Sequence, residues 1–173
     1  MSVRTLIIGG ITVPVWACTD LRQSYEPIEV VYQSRKRNGA LVYRELYSGL
    51  IRTQLSGGGL APSGLQALVA GATVSLSCIE PMAINSASNV IDIPAARRSD
   101  SGSEPQGFAV VGDIMLPTPV AMNVNEATLT TVAGASAYQV RWYPVLSVIV
   151  TSRLEDELSR GAGYRWSLVA EEV

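Results

Sequence analysis

Histidine is absent from the 173 residues, and cysteine occurs only as Cys18 and Cys78. Histidine is the commonest general base and metal ligand in proteins, so most hydrolytic and metal-assisted reactions lose their usual side chains. A serine nucleophile would also lack a base, because the one lysine, Lys36, falls in a predicted turn. The sequence therefore predicts a protein that is not an enzyme and uses no cofactor or metal. We expect two buried thiols in a reducing compartment, and a disulfide between them stays open.

Charge is also scarce. Asp, Glu, Lys and Arg make up 16% of the residues and the net charge is −2, whereas charged residues usually account for ~25% of a soluble domain. A balance this close to neutral gives no reason to expect nucleic acid or an anionic membrane as the partner. Hydrophobic residues reach 47%. We therefore expect a surface that contacts other proteins.

Long hydrophobic runs are missing as well, since no stretch reaches the ~18 apolar residues of a membrane span. The apolar run from Leu6 to Trp16 follows an arginine, as in a secretion signal, but two glycines and Pro14 interrupt it. We expect two short strands instead, 6–8 and 11–13, joined by a turn at the glycines.

The clearest local signal is the pair Asn38–Gly39 between the strand-like runs 29–37 and 40–46. Asn-Gly in this setting is the strongest short-range indication of a β-hairpin. The tip of this hairpin is basic, and its neighbourhood lacks the interleaved aromatic residues of a nucleic-acid groove. We predict a solvated end or a contact with a partner protein. The candidate partner contacts at the tip are Arg35, Lys36 and Arg37.

Two segments are predicted to be exposed loops, 56–64 and 95–107. The first has the glycine spacing of a nucleotide-binding loop, but the lysine that would hold a phosphate is missing. The second turns polar, with two adjacent arginines among small residues. We predict contacts with neighbouring subunits at both, and the arginines leave open a contact with DNA in a channel. The candidate contact residues are Gly57, Gly58, Gly59, Arg97 and Arg98.

Strand-like runs dominate the remaining sequence. In Thr73 to Cys78, for example, alternation places Val74, Leu76 and Cys78 on one face. Residues 153–160 have helical spacing, and we predict a helical turn or a charged loop there. About ten short strands bounded by Gly, Pro or Asn predict an all-β fold, a β-sandwich or barrel-like arrangement. We expect a single domain over residues 1–173, with long Gly/Pro-rich loops and at most one short helix.

The carboxylates give no sign of acid–base chemistry. Most occur in polar, loop-like settings where nothing would raise a carboxyl pKa. The run Glu155-Asp156-Glu157 lacks the alternating oxygen spacing of a calcium loop. We predict solvated charges at these positions.

The aromatic residues allow two interpretations. The three tryptophans, Trp16, Trp142 and Trp166, lie in strand-like sequence and are predicted to pack in the core. The alternative is a stacking platform for a sugar, built from Tyr138, Trp142 and Trp166, in a carbohydrate-binding β-sandwich module.

Four stretches resemble structural proteins of tailed bacteriophage virions, in particular of long-tailed phages. They are LIIGGITVPVWACTDLRQSYEPI, IRTQLSGGGLAPSGLQAL, YQVRWYPVL and YRWSLVAEE. The resemblance implies a ring-forming distal tail or baseplate component that contacts other virion proteins and copies of itself, located in the virion after assembly in the host cytoplasm. It implies no catalytic residues. A head-to-tail joining ring and a capsid decoration protein remain as alternatives.

Overall fold

The computed structural model describes residues 4–158 and 163–173, with only the backbone of Tyr47 and of residues 156–158. The chain is all-β, as the sequence predicts: the described residues form fourteen strands and two single 3-10 turns, at Val15–Ala17 and Leu65–Ala67. Neither of these turns is long enough to cross a membrane. The strands, listed in chain order, are β1 Ile7–Ile8, β2 Ile11–Thr12, β3 Arg22–Arg35, β4 Leu41–Gly59, β5 Thr73–Ser77, β6 Met82–Ser86, β7 Val90–Asp92, β8 Gln106–Val111, β9 Ile114–Thr118, β10 Val120–Asn123, β11 Glu126–Leu129, β12 Ala137–Trp142, β13 Val145–Leu158 and β14 Gly163–Glu172.

The chain divides into two compact units. The first contains the described residues up to Thr12 together with Ser75–Leu146, and the second contains Val13–Val74 and the described residues of Ser147–Val173. The single domain expected from the sequence stays a prediction.

The first unit contains a small β-sandwich. One sheet has the order β10-β11-β7 and the other β6-β12-β8-β9, with every pairing antiparallel. Their inward residues form one buried cluster that includes Leu129 of the first sheet and Val140 and Trp142 of the second. In the same unit β1 and β2 form the predicted glycine-turn hairpin, and β1 pairs with β5. Leu76 and Cys78 are both fully buried, which confirms the face predicted for that strand.

The second unit contains an antiparallel sheet of the order β13-β14-β4-β3. One face carries buried residues, among them Leu55 and Leu168, each 1% exposed. Two side chains of the sheet donate hydrogen bonds to backbone carbonyls of segments outside it. The indole Nε1 of Trp166 donates to the carbonyl of Ala17 at 2.8 Å, and Arg153 donates to the carbonyl of Leu65 at 2.6 Å. These bonds satisfy polar groups that would otherwise be buried without partners.

Two sequence predictions about elements are wrong. Residues 153–158 lie in β13 and form neither a helical turn nor a loop; residues 159 and 160 lie outside the described residues. Residues 56–59 belong to β4, so only 60–64 of the first predicted loop lies outside a strand. Pro117 lies in β9, an edge strand, where the missing backbone N–H of proline is tolerated.

Candidate functional site

A long hairpin extends beyond the sheet of the second unit. Strands β3 and β4 pair from Arg22↔Ser56 to Arg35↔Leu41, with register shifts near Val30. Strand β14 pairs with β4 only as far as Arg52. Among the described residues, β4 therefore has β3 as its sole pairing partner from Ile51 back to Leu41. We call residues 27–51 the arm; at about 3.3 Å per residue, eleven residues of β4 make it roughly 35 Å long.

The arm exposes large apolar side chains. Tyr32, Leu41, Tyr43 and Leu46 are between 53% and 62% exposed. A two-stranded hairpin is marginally stable by itself in water, and grouped exposed apolar residues usually mark a contact surface. The arm therefore has the character of a segment that another protein covers.

The tip of the arm brings the three predicted basic residues together. Its turn is closed by hydrogen bonds from the N–H of Lys36 to the carbonyl of Ala40, at 2.9 Å, and from the N–H of Gly39 to the carbonyl of Lys36, at 2.8 Å. Gly39 has a φ of 81°, which an L side chain rarely adopts. Arg35, Lys36 and Arg37 are exposed, and none forms an ion pair with a described residue. Their charges are available to a partner.

The structure places the predicted contact glycines inside the second unit. Gly57 and Gly58 are buried in β4, where they pair with β14 beyond the last β3 pair, Arg22↔Ser56. A Cβ on Gly59 would lie 1.8 Å from the carbonyl oxygen of Trp16, and one on Gly57 would lie 2.7 Å from the Trp166 ring. Glycine is needed here for close approach of backbone and ring, which leaves these residues little surface for a partner.

The adjacent arginines of the second loop have different environments. Arg98 is 4% exposed. Its guanidinium donates to both carboxylate oxygens of Asp100, each at 2.8 Å, and to the carbonyl of Thr5 at 3.0 Å. The hydrogen bond from Arg98 lowers the pKa of Asp100 to about 2. Arg98 thus fastens its own loop within the first unit, and the expectation of an exposed residue there is wrong.

Arg97 is partly exposed and holds the turn between β10 and β11. Its guanidinium donates to the carbonyl of Val124 at 2.5 Å, to the amide oxygen of Asn125 at 3.1 Å and to the carbonyl of Pro94 at 2.6 Å. Segment 95–105 lies outside the named strands, which confirms the predicted loop over that range.

Two of the three tryptophans are core residues as predicted, because Trp142 and Trp166 are 4% and 3% exposed. Tyr138 is also buried. The rings suggested for a sugar platform are therefore not exposed for stacking. Trp16 is different, since it is 66% exposed beside the exposed side chains of Val15 and Leu60, and the expectation of a core position is wrong. Its strand-like sequence gave no indication of this exposure.

Carboxylates and thiols are side chains of this protein that could bind a metal ion or act as nucleophiles. The described residues include no group of three or more Cys, Asp or Glu side chains that could hold a metal ion. Neither Cys18 nor Cys78 forms a disulfide. Burial raises the pKa of Cys18 to about 11, so its thiol is protonated and weakly nucleophilic at neutral pH.

An open depression of about 510 Å³ lies on the sheet of the second unit. Its lining includes Asp20, Arg22 and Arg165, together with Ser56 and Ser167. Ser56 pairs with Arg22 on one side and with Ser167 on the other, so the depression runs across three strands. Leu154 and Trp166 also line it, so the depression combines polar and apolar side chains.

Comparison of the chain with protein-family models, with curated proteins and with solved structures finds no match.

Proposed function

We propose that this chain is a structural component of a bacteriophage tail, a ring-forming distal tail or baseplate protein that holds its neighbours through the arm. The observation that carries the proposal is the arm itself: a ribbon of two strands that projects past β14 and exposes apolar side chains.

The energetics of the arm support a role in assembly. From Ile51 back to Leu41, the edge of β4 opposite β3 has no strand beside it among the described residues. The N–H and C=O groups on this edge can therefore pair with another chain. Burial of the exposed Tyr and Leu side chains of the arm would add apolar contact area to such pairing. A contact of this kind, repeated around a ring, becomes strong although each copy contributes little.

The sequence resemblance to virion proteins of long-tailed phages supports the same class of function. Under this proposal the chain is assembled in the host cytoplasm and resides in the virion, without catalysis and without a cofactor. A head-to-tail joining ring or a capsid decoration protein would use the arm in the same way. The position of the chain on the particle distinguishes these two roles from the tail role. For a carbohydrate-binding module the structure offers less support, because Tyr138, Trp142 and Trp166 are buried.

The test is incorporation into particles. Phage carrying a triple variant of the arm, Tyr32→Ser, Leu41→Ser and Tyr43→Ser, would be purified and the chain quantified by mass spectrometry. The matched control is Val69→Ser with Val173→Ser, two valines outside the arm that are 69% and 58% exposed. We expect the arm variant to fold normally and to fall at least about tenfold in particles, which corresponds to ~1.4 kcal/mol of lost contact energy per site. The control should be incorporated like the wild type.

The location of the chain gives the second readout. Electron micrographs of particles with the chain labelled should show the label at the tail end. Label at the neck or on the head would replace the tail assignment by a joining or decoration role. Absence of the chain from particles, or normal incorporation of the arm variant, would overturn the proposal.

A further inference from the structure

The turn between β10 and β11 has an unusual backbone. Val124 has a φ of 53°, and it is the one non-glycine residue with positive φ in the described part of the chain. The ten other positions with positive φ are all glycine. A β-branched residue is strained in this region, and such strain persists only where surrounding contacts enforce it.

Burial within the chain does not compensate this strain, because Val124 is 80% exposed. The conformation is held instead by hydrogen bonds. Arg97 donates to the Val124 carbonyl, and the N–H of Ile93 donates to the carbonyl of Asn125 at 2.9 Å. The turn thus presents an apolar side chain in a fixed orientation to solvent.

The same turn carries a second unfavourable feature. Glu126 of β11 lies directly opposite Asp92 of β7 in the register, and both are exposed. Like charges at directly opposed positions of a sheet destabilise it. Neither carboxylate forms an ion pair with a described residue, and the guanidinium of Arg97 is directed to the turn instead. We call Asp92 and residues 123–126 the Val124 surface.

A partner that buries the side chain of Val124 and places positive charge near Asp92 and Glu126 would compensate for the strained turn and for the repulsion between the two carboxylates. The arm has this chemistry. Its tip carries Arg35, Lys36 and Arg37, and the exposed side chains of Leu41 and Tyr43 lie on the same face of the hairpin as Arg35. The arm contains four basic and two acidic residues in a chain of net charge −2, so the remainder of the chain is acidic. Contact between two basic arms is therefore disfavoured relative to contact between an arm and the Val124 surface.

We infer that the Val124 surface of one molecule is the docking site for the arm of a second copy of this chain. This rests on the proposed function, which makes the arm a contact element, and it names the occupant. The contact is heterologous, because the arm of one molecule binds the Val124 surface of the next. Each molecule has one arm and one Val124 surface, so successive copies can close into a ring.

Charge exchange tests the pairing. One variant carries Asp92→Lys and Glu126→Lys, and the other carries Arg35→Glu, Lys36→Glu and Arg37→Glu. Each purified variant alone should associate at least about tenfold more weakly than the wild type in sedimentation equilibrium. An equimolar mixture should recover association, because the acidic tip of one variant then meets the basic acceptor of the other.

Val124→Gly separates contact from strain. Glycine adopts positive φ without penalty, so the melting temperature should rise by a few degrees while self-association weakens. Val69→Gly is the control, since Val69 is 69% exposed and has no positive φ. That variant should melt slightly lower and associate like the wild type.

Three results would overturn the inference: a wild-type chain that stays monomeric, a mixture of charge variants that does not associate, and calcium or magnesium ions that raise the melting temperature only when Asp92 and Glu126 are both present.

Failure of the inference is distinguishable from failure of the proposed function. If the arm variant stays out of particles while the Asp92→Lys, Glu126→Lys variant enters normally, the arm docks on another virion protein. The proposed function then stands without this acceptor.

Discussion

Strand β4 is continuous over nineteen residues, yet its two halves have different surroundings. Residues 52–56 pair with β3 on one side and with β14 on the other, and they include the buried residues Thr53 and Leu55. Residues 41–51 pair with β3 alone and expose Leu41, Tyr43 and Leu46. Both halves are rich in residues suited to strands. The number of neighbouring strands, rather than strand propensity, therefore determines whether the apolar residues of β4 become core or contact surface.

Amide hydrogen exchange should give the largest difference between the halves. In dilute, monomeric protein, we expect amides at 41–51 to exchange at least about a thousandfold faster than hydrogen-bonded amides at 52–56, equivalent to ~4 kcal/mol of local opening energy. The cause is that the arm can open without breaking the sheet. Equal protection in both halves would mean that the arm is held by contacts within the molecule, and the comparison would fail.

Two leucines of the same strand provide a matched pair of mutations. Leu55 is 1% exposed and Leu41 is 56% exposed. Leu55→Ala should lower the free energy of unfolding by about 3 kcal/mol, because it leaves a cavity among packed side chains. Leu41→Ala should change it by less than about 0.5 kcal/mol. Urea denaturation followed by tryptophan fluorescence measures both, and similar losses for the two variants would contradict the division of β4.

The smallest effect is expected at Glu172, where the arm meets the sheet. Its carboxylate accepts a hydrogen bond from the N–H of Ile51 at 3.1 Å, while burial raises its pKa above the usual 4.5. A raised carboxyl pKa means that the folded state favours the protonated form, so this contribution is present at low pH and is lost as pH rises through the folded-state pKa.

Glu172→Gln removes the charge and keeps an acceptor for Ile51. The variant should be more stable than the wild type by a few tenths of a kcal/mol, at most about 0.5 kcal/mol, at pH 7, since the group is only partly buried. The difference should vanish below pH 4. Thermal melts across this range measure the effect, and a wild type that is more stable at pH 7 would contradict the assigned sign.

Local chemistry made several elements predictable. The Asn38–Gly39 hairpin and the Gly9–Gly10 turn depend on residues that tolerate positive φ, which is a property of the residue itself. The buried face of β5 follows from the period of two. By contrast, the spacing of Leu154 and Leu158, four positions apart, is compatible with one face of a strand as well as with one face of a helix. The spacing alone therefore does not distinguish the two, and pairing within the sheet makes this segment part of β13.

The candidate contact residues show the same limit. The basic tip was predictable, because three charges beside a turn signal have little alternative to solvent. The run of glycines at 57–59 indicated a loop, but the structure uses it to let Trp16 and Trp166 approach the strand. Arg97 and Arg98 are adjacent and chemically identical, and only their positions relative to Asp100 and the β10–β11 turn separate their roles.

The residues alone are enough to predict a chain of short strands and turns, because alternation and turn residues act over a few positions. Only the tertiary contacts establish that β14 stops pairing with β4 at Arg52, that Trp16 is exposed and that Val124 has a positive φ. These features depend on which distant strands and side chains become neighbours, and burial is a property of those neighbours rather than of the residue.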